Sequence, residues 1–196
     1  MKKLFLVILV IIGIGCLICC PYKSVDETSK AEESLPKEEQ DLKSPMDTAK
    51  ILTYIDKTYN VRVPYPSFFE VTDTSEAGTA RFCYPNIMER KITLSMFVEP
   101  NVEGWTIKDA VDHLSDSTTT CMDSNEYFFI MYGKGKNGNR VCYVEKCFLV
   151  NDYWIDYTLF YRPEYEEKDG IEQLMTMVMK WEPFEKENHN FTNIGS

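Results

Sequence analysis

Lys2 and Lys3 are followed by seventeen residues, Leu4 to Cys20, without a single charged side chain. A short positive start and then an unbroken apolar run is the arrangement that directs export. Everything after it is therefore expected on the outer side of a membrane. At about 1.5 Å per residue the run would cover roughly 26 Å as a helix, the lower limit for spanning a hydrocarbon core. Length alone thus fits both a cleaved signal peptide and a retained anchor, and residues 1–20 are assigned to one or the other.

From Pro21 to about Asp47 the sequence turns to Glu, Asp, Lys, Ser and Pro, with Tyr22 its only aromatic residue. A stretch so poor in apolar surface cannot offset the entropy of ordering itself, so residues 21–48 read as an acidic disordered tether. Roughly 140 residues remain, the size of one domain, and nearly all the Phe, Tyr and Trp lie among them. We place the domain at 49–184 and a polar tail at 185–196. The chain carries a formal net charge of -10, and Lys and Arg are scattered among more numerous Asp and Glu. Nucleic-acid phosphates and anionic lipid heads should be repelled, and no nucleic-acid partner is expected.

Within the domain the apolar period alternates between two and 3.6. Ile51 to Asp56 and Tyr59 to Tyr65 read as paired strands, the second ended by Pro64 and Pro66. Ser67 to Val71 reads as a short helical turn carrying Phe68 and Phe69. Strands are expected at Ala80 to Tyr84, Ile92 to Val98, Glu126 to Tyr132, Arg140 to Val150 and Tyr153 to Tyr161, with Asn151-Asp152 as the last hairpin turn. Thr106 can cap a helix with Asp109 three residues on, and Ile107, Ala110, Val111 and Leu114 then share a face. A closing helix starts after Asp169, with Ile171, Leu174, Met175 and Val178 in one stripe, and Pro183 stops it. Short connections make the sheet antiparallel. The fold class is α+β: an antiparallel sheet of about six to eight strands with helices packed on it.

Two resemblances add to this reading. Ile12-Gly13-Ile14-Gly15-Cys16 resembles the lipobox of bacterial lipoproteins, in which a small residue precedes a cysteine that is cleaved, acylated and left as the new N-terminus. It departs at Gly13, where Leu is usual, and Leu17-Ile18 prolong the apolar run. The resemblance implies lipidation at Cys16 in a bacterial cell envelope, with a single-pass signal anchor as the alternative. The second rests on Val63-Pro64-Tyr65-Pro66-Ser67-Phe68-Phe69, Trp105 ahead of a helix, and Tyr153-Trp154-Ile155-Asp156-Tyr157 before a terminal helix. These resemble the PsbP-like α/β/α sandwich proteins. That likeness implies a protein-binding theme, mostly without catalysis, and brings no catalytic residue with it.

Little in the chain carries chemistry. His113 falls on the solvent face of its helix, His189 in the polar tail, and neither has metal-ligand spacing or a neighbouring nucleophile. No catalytic residue, metal or cofactor is assigned. Cys83, Cys121, Cys142 and Cys147 are even in number and would lie in an oxidising compartment, which makes them disulfide candidates, with buried free thiols the alternative. Cys142 and Cys147 have opposite parity on one strand and should not bond to each other.

The Gly133 to Asn139 loop lacks the Lys-Ser/Thr ending and the following helix of a phosphate loop, and is expected to be a hairpin turn. Lys134, Lys136 and Arg140 would make a basic knob able to meet an acidic partner, and Trp154 is a separate candidate contact on an aromatic strand face. Glu164, Glu166, Glu167 and Asp169 match no calcium loop and suit a solvated helix start. The expectation is a membrane-tethered, non-catalytic module that binds an envelope protein. An envelope hydrolase or small-ligand binder is the competing class, and it requires a deep pocket gathering His113 or several carboxylates.

Overall fold

A computed structural model describes residues 42–85, 92–134, 141–166 and 169–184, all within the compact unit Pro36–Ser196. Cys16 and the whole apolar segment, Lys136, Arg140, His189 and the polar tail lie outside the described residues. Helix α1 (Lys43–Thr48) leads into a hairpin of β1 (Ile51–Asp56) and β2 (Val61–Pro66). Then follow β3 (Glu70–Asp73), β4 (Thr79–Cys83), β5 (Ile92–Pro100), α2 (Ile107–Leu114), β6 (Thr119–Ser124), β7 (Phe128–Lys134), β8 (Cys142–Val150), β9 (Tyr153–Tyr161) and α3 (Asp169–Met179). The strands form a seven-stranded antiparallel sheet in the order β3-β4-β5-β9-β8-β7-β6, with β1-β2 as a separate two-stranded sheet. The architecture is α+β, as expected.

Alternation along the strands divides the core. Leu94, Met96, Val144, Leu159 and Tyr161 point to one face of the sheet, where Ile171, Leu174 and Val178 of α3 and the β1-β2 hairpin cover them. Phe129, Met131 and Cys147 point to the other, beneath Ile107 and Ala110 of α2. Helix α2 begins as its sequence predicts: Thr106 Oγ1 accepts from the Asp109 N–H at 3.2 Å, and Asp109 Oδ2 accepts from the Thr106 N–H at 3.0 Å. Between β8 and β9, Asn151 and Asp152 both take positive φ, 48° and 62°, which the tightest hairpin turn requires.

Four elements differ from expectation. The domain starts before Ala49: α1 occupies the supposed tether, and Leu42 ahead of it is only 1% exposed. Leu42 packs so closely on Gly170 that a side chain there would come within 2.3 Å of the leucine Cβ. The turn at Ser67 leads into strand β3 where a helical turn was expected. Strand β6 was unforeseen because Thr-Thr-Cys-Met-Asp-Ser is polar and exposed; it is an edge strand held by backbone pairing to β7. A 3-10 turn at Pro163–Tyr165 precedes α3.

Asp56 joins the hairpin to the large sheet. Its Oδ1 accepts from the N–H groups of Thr58 and Tyr59, both at 2.9 Å, and its Oδ2 from the Gly78 N–H at 2.7 Å. Gly78 needs its φ of +77°, and a Cβ there would stand 2.9 Å from the Tyr59 ring. Asp56→Ala orphans all three donors and should cost about 2 kcal/mol in urea unfolding at pH 7. A loss below about 0.5 kcal/mol would show that water replaces the carboxylate freely.

Candidate functional site

A groove of about 710 Å³ runs between α3 and the outer face of the β1-β2 hairpin. Met46, Ile51, Pro64, Met177, Trp181 and Phe184 make it mainly apolar, while Arg62, Gln173, Lys180 and Glu182 supply polar groups. The methionines suit an adaptable binding wall, since an unbranched thioether repacks around different shapes.

The walls are fastened to each other. Arg62 on the outer edge of β2 donates its N–H to Pro183 O at 2.9 Å, and its carbonyl accepts from Trp181 Nε1 at 2.7 Å. Pro64 O accepts from the Tyr157 hydroxyl at 2.5 Å. Buried Lys146 donates to Trp181 O at 2.7 Å and to Glu182 Oε1 at 3.1 Å. Its ammonium also lies 4.6 Å and 4.8 Å from the ring centroids of Phe128 and Phe148. A buried ammonium needs such partners on every side. The segment after α3 is therefore a strut between hairpin and sheet, and the groove is preformed.

The opposite face of the sheet holds three carboxylates. Asp156 on β9 stands across from Cys147 on β8, and Glu145 across from Thr158. Glu99 on β5 stands across from Trp154. Asp156 is 8% exposed and accepts one long bond from Thr158 Oγ1, 3.4 Å. Burial and then the neighbouring Glu145 and Glu99 charges hold its carboxyl well above the usual range. Burial and Glu99 push Glu145 up to about 7, and burial raises Glu99. Burial likewise raises the Cys147 thiol. These groups do not line the groove, which lies across the sheet from them. Among the described residues no group of three or more His, Cys, Asp or Glu is placed to hold a metal ion.

The candidates named from the sequence are dispersed. Lys134 ends β7, remains exposed and pairs with Glu166 Oε2 at 3.3 Å, while Lys136 and Arg140 lie outside the described residues. Glu166 also accepts the Tyr132 hydroxyl, a bond that leads in holding its carboxyl below the usual range. Trp154 lies at the other end of the strands and on the other face, half-buried. Its Nε1 donates to Asn101 Oδ1 at 3.2 Å, and its ring lies 6.1 Å from that of Phe129. Asn101 was not foreseen, although it also bonds Trp105 through its Oδ1 at 3.0 Å and its Nδ2 at 2.8 Å. His113 is exposed, its ring 4.7 Å from that of Trp105.

The disulfide expectation for Cys83, Cys121, Cys142 and Cys147 is corrected: all four are free thiols. Their strands explain it. Cys83 on β4 is separated from β8 by β5 and β9, and Cys121 on β6 by β7. At about 4.8 Å per strand these separations are roughly 14 Å and 10 Å, beyond the span of a bridge. Cys142 and Cys147 point to opposite faces, as their parity predicts.

Nothing in the groove was marked by a motif, because its parts come from four separate stretches of chain and Trp181 follows the last helix in irregular backbone. Against known proteins, no family model and no curated sequence matches this chain. Its fold is similar to the solution structure of cyanobacterial PsbP (CyanoP) from Synechocystis sp. PCC 6803, at 16% sequence identity, covering 67% of this chain and 90% of that chain with a TM-score of 0.44.

Proposed function

We propose that this chain is a non-catalytic, membrane-tethered extracytoplasmic module that receives an apolar segment of an envelope protein in the groove between α3 and the hairpin. The observation that carries the reading is the groove itself: broad, apolar, open along its length, and braced by Trp181, Arg62 and Lys146. A partner strand or helix edge fits such a shape better than a small molecule, which needs enclosure. The hydrolase alternative loses support because neither the raised carboxylates nor His113 lines the groove. Membrane attachment is assigned to Cys16 acylation on the lipobox resemblance, several acyl chains together making release from the bilayer slow.

Two measurements test this. Photo-crosslinking from the groove should yield a defined envelope protein with the full chain, and Met177→Arg should reduce that product at least tenfold while leaving Lys134→Glu unaffected. An unchanged product from Met177→Arg would overturn the groove reading. Radioactive fatty acid should label the wild type and not Cys16→Ala, and equal labelling would sink the attachment.

A further inference from the structure

The hairpin has one free edge, and it belongs to β1. In the β1-β2 register Ile51, Thr53 and Ile55 stand opposite Pro66, Pro64 and Arg62. The prolines have no N–H to give, and the Arg62 N–H turns away to Pro183. These are accordingly the non-hydrogen-bonded pairs of the ladder, so the N–H and C=O groups of Ile51, Thr53 and Ile55 point outward. Among the described residues nothing bonds to them.

Other edges are blunted. Strands β3 and β6, which border the large sheet, each carry a register shift, at Val71/Asp73 and Cys121/Asp123. Such irregularities, with charges, keep an edge from pairing. Strand β1 has six residues in unbroken register, no charge before Asp56, and side chains of Ile51, Leu52 and Ile55 that are 53%, 40% and 41% exposed. A long, straight, apolar edge is a template for another strand.

We propose that its occupant is the same strand of a second copy, paired antiparallel about a two-fold axis at Thr53. The sequence is self-complementary in that register. Ile51 meets the partner's Ile55, Thr53 meets its own equivalent, and Leu52 meets the partner's Tyr54; Lys50 falls opposite Asp56, so no like charges oppose one another. The outward-pointing residues fall opposite one another, so the pairs they form are the hydrogen-bonded ones, each exchanging two backbone bonds. The result is a four-stranded sheet, β2-β1 continued into its copy, closed by symmetry and presenting no further β1 edge. The axis is perpendicular to the sheet, so both grooves open to the same side. Ile51 and Thr53 also line the groove, so this interface adjoins the site assigned to the envelope partner, while Ile55 at the far end of the edge stands outside it.

The test is sedimentation equilibrium of the full chain in density-matched mild detergent, with Thr53→Pro and Thr53→Lys. Proline removes the central outward N–H, which the intramolecular ladder does not use. Lysine sets two like charges face to face on the axis from an exposed position. The wild type should show a concentration-dependent dimer, and each variant should weaken it at least tenfold with an unchanged circular dichroism spectrum. Amide exchange should slow with protein concentration at Ile51, Thr53 and Ile55 and not at Leu52 or Tyr54. A wild type that stays monomeric up to about 1 mM would overturn the proposal. So would a dimer that survives Thr53→Lys, since the apolar N-terminal segment would then account for it. Loss of the dimer in Ile55→Lys, which sets a charge against the partner's Ile51 from an exposed position outside the groove, with the groove crosslink intact separates this interface from the binding reading.

Discussion

The domain is expected to lose stability as pH rises from about 4 to about 8, the reverse of the usual behaviour of a protein rich in paired carboxylates. Asp156 sits at the middle of the large sheet, between Phe97 and Cys147, with Glu145 and Glu99 as its nearest carboxylates. Among the described residues no cation is bonded to any of the three. Unfolded, all would titrate near pH 4. Folded, burial first and mutual repulsion second keep Asp156 and Glu145 protonated to higher pH.

Between those values the native state binds more protons than the unfolded one, so each step up in pH favours unfolding. The stability supplied by the neutral carboxyls is complete below about pH 4 and is lost as pH climbs through the raised values. Carboxylates with lowered values, Asp73 held by Ser75 and Glu166 held by Tyr132, act in the opposite sense and in a lower window. Asp156→Asn keeps the shape and removes the titration. It should raise unfolding free energy at pH 8 by about 2 kcal/mol and converge with the wild type below pH 4. Urea unfolding across this range measures it, and a wild-type stability that is flat or rises from pH 4 to 8 would refute the assignment.

What the sequence reveals and what it hides divide along local and non-local lines. The α2 capping box, the Asn151-Asp152 turn and the Ile171, Leu174, Val178 stripe depend on residues within one or two turns, and they are legible by spacing alone. The opposite facing of Cys142 and Cys147 follows from parity in the same way. Their lack of a bridge does not, because it depends on β5 and β9 lying between β4 and β8, a fact of strand order. The meeting of Asp156 with Glu145 likewise arises only from the β8-β9 register. The pairing of Lys134 with Glu166 is equally hidden, because Glu166 arrives from beyond two further strands. Strand β6 and helix α1 escaped notice because neither has an apolar period; each is ordered by a neighbour, β7 in one case and α3 with Gly170 in the other. The groove is hidden for the same reason.

Trp181→Ala should be the most damaging single change, costing about 4 kcal/mol. Its ring is buried 5.2 Å from Tyr157 and 5.7 Å from Phe148, centroid to centroid, so truncation opens a large cavity in the main core. Its Nε1–H holds the Arg62 carbonyl, and Pro183 two residues on holds the Arg62 N–H. The hairpin shares no ladder with the large sheet. It is kept in place by side-chain packing, by Asp56 and by this strut, and loss of the indole weakens two of the three. Trp181→Phe separates the contributions, since it keeps most of the ring and removes only the donor, at about 1 to 2 kcal/mol. In the alanine variant the amides of β1 and β2 should exchange before those of β5, β8 and β9, a local opening below the global one. Because both the groove wall and the β1 edge belong to the hairpin, that opening should remove the groove crosslink and the dimer together, whereas Ile55→Lys, outside the groove, removes only the dimer. An alanine variant that loses under about 1 kcal/mol, or whose hairpin amides stay as protected as the sheet, would show that Trp181 is packing alone and that the hairpin is held by other means.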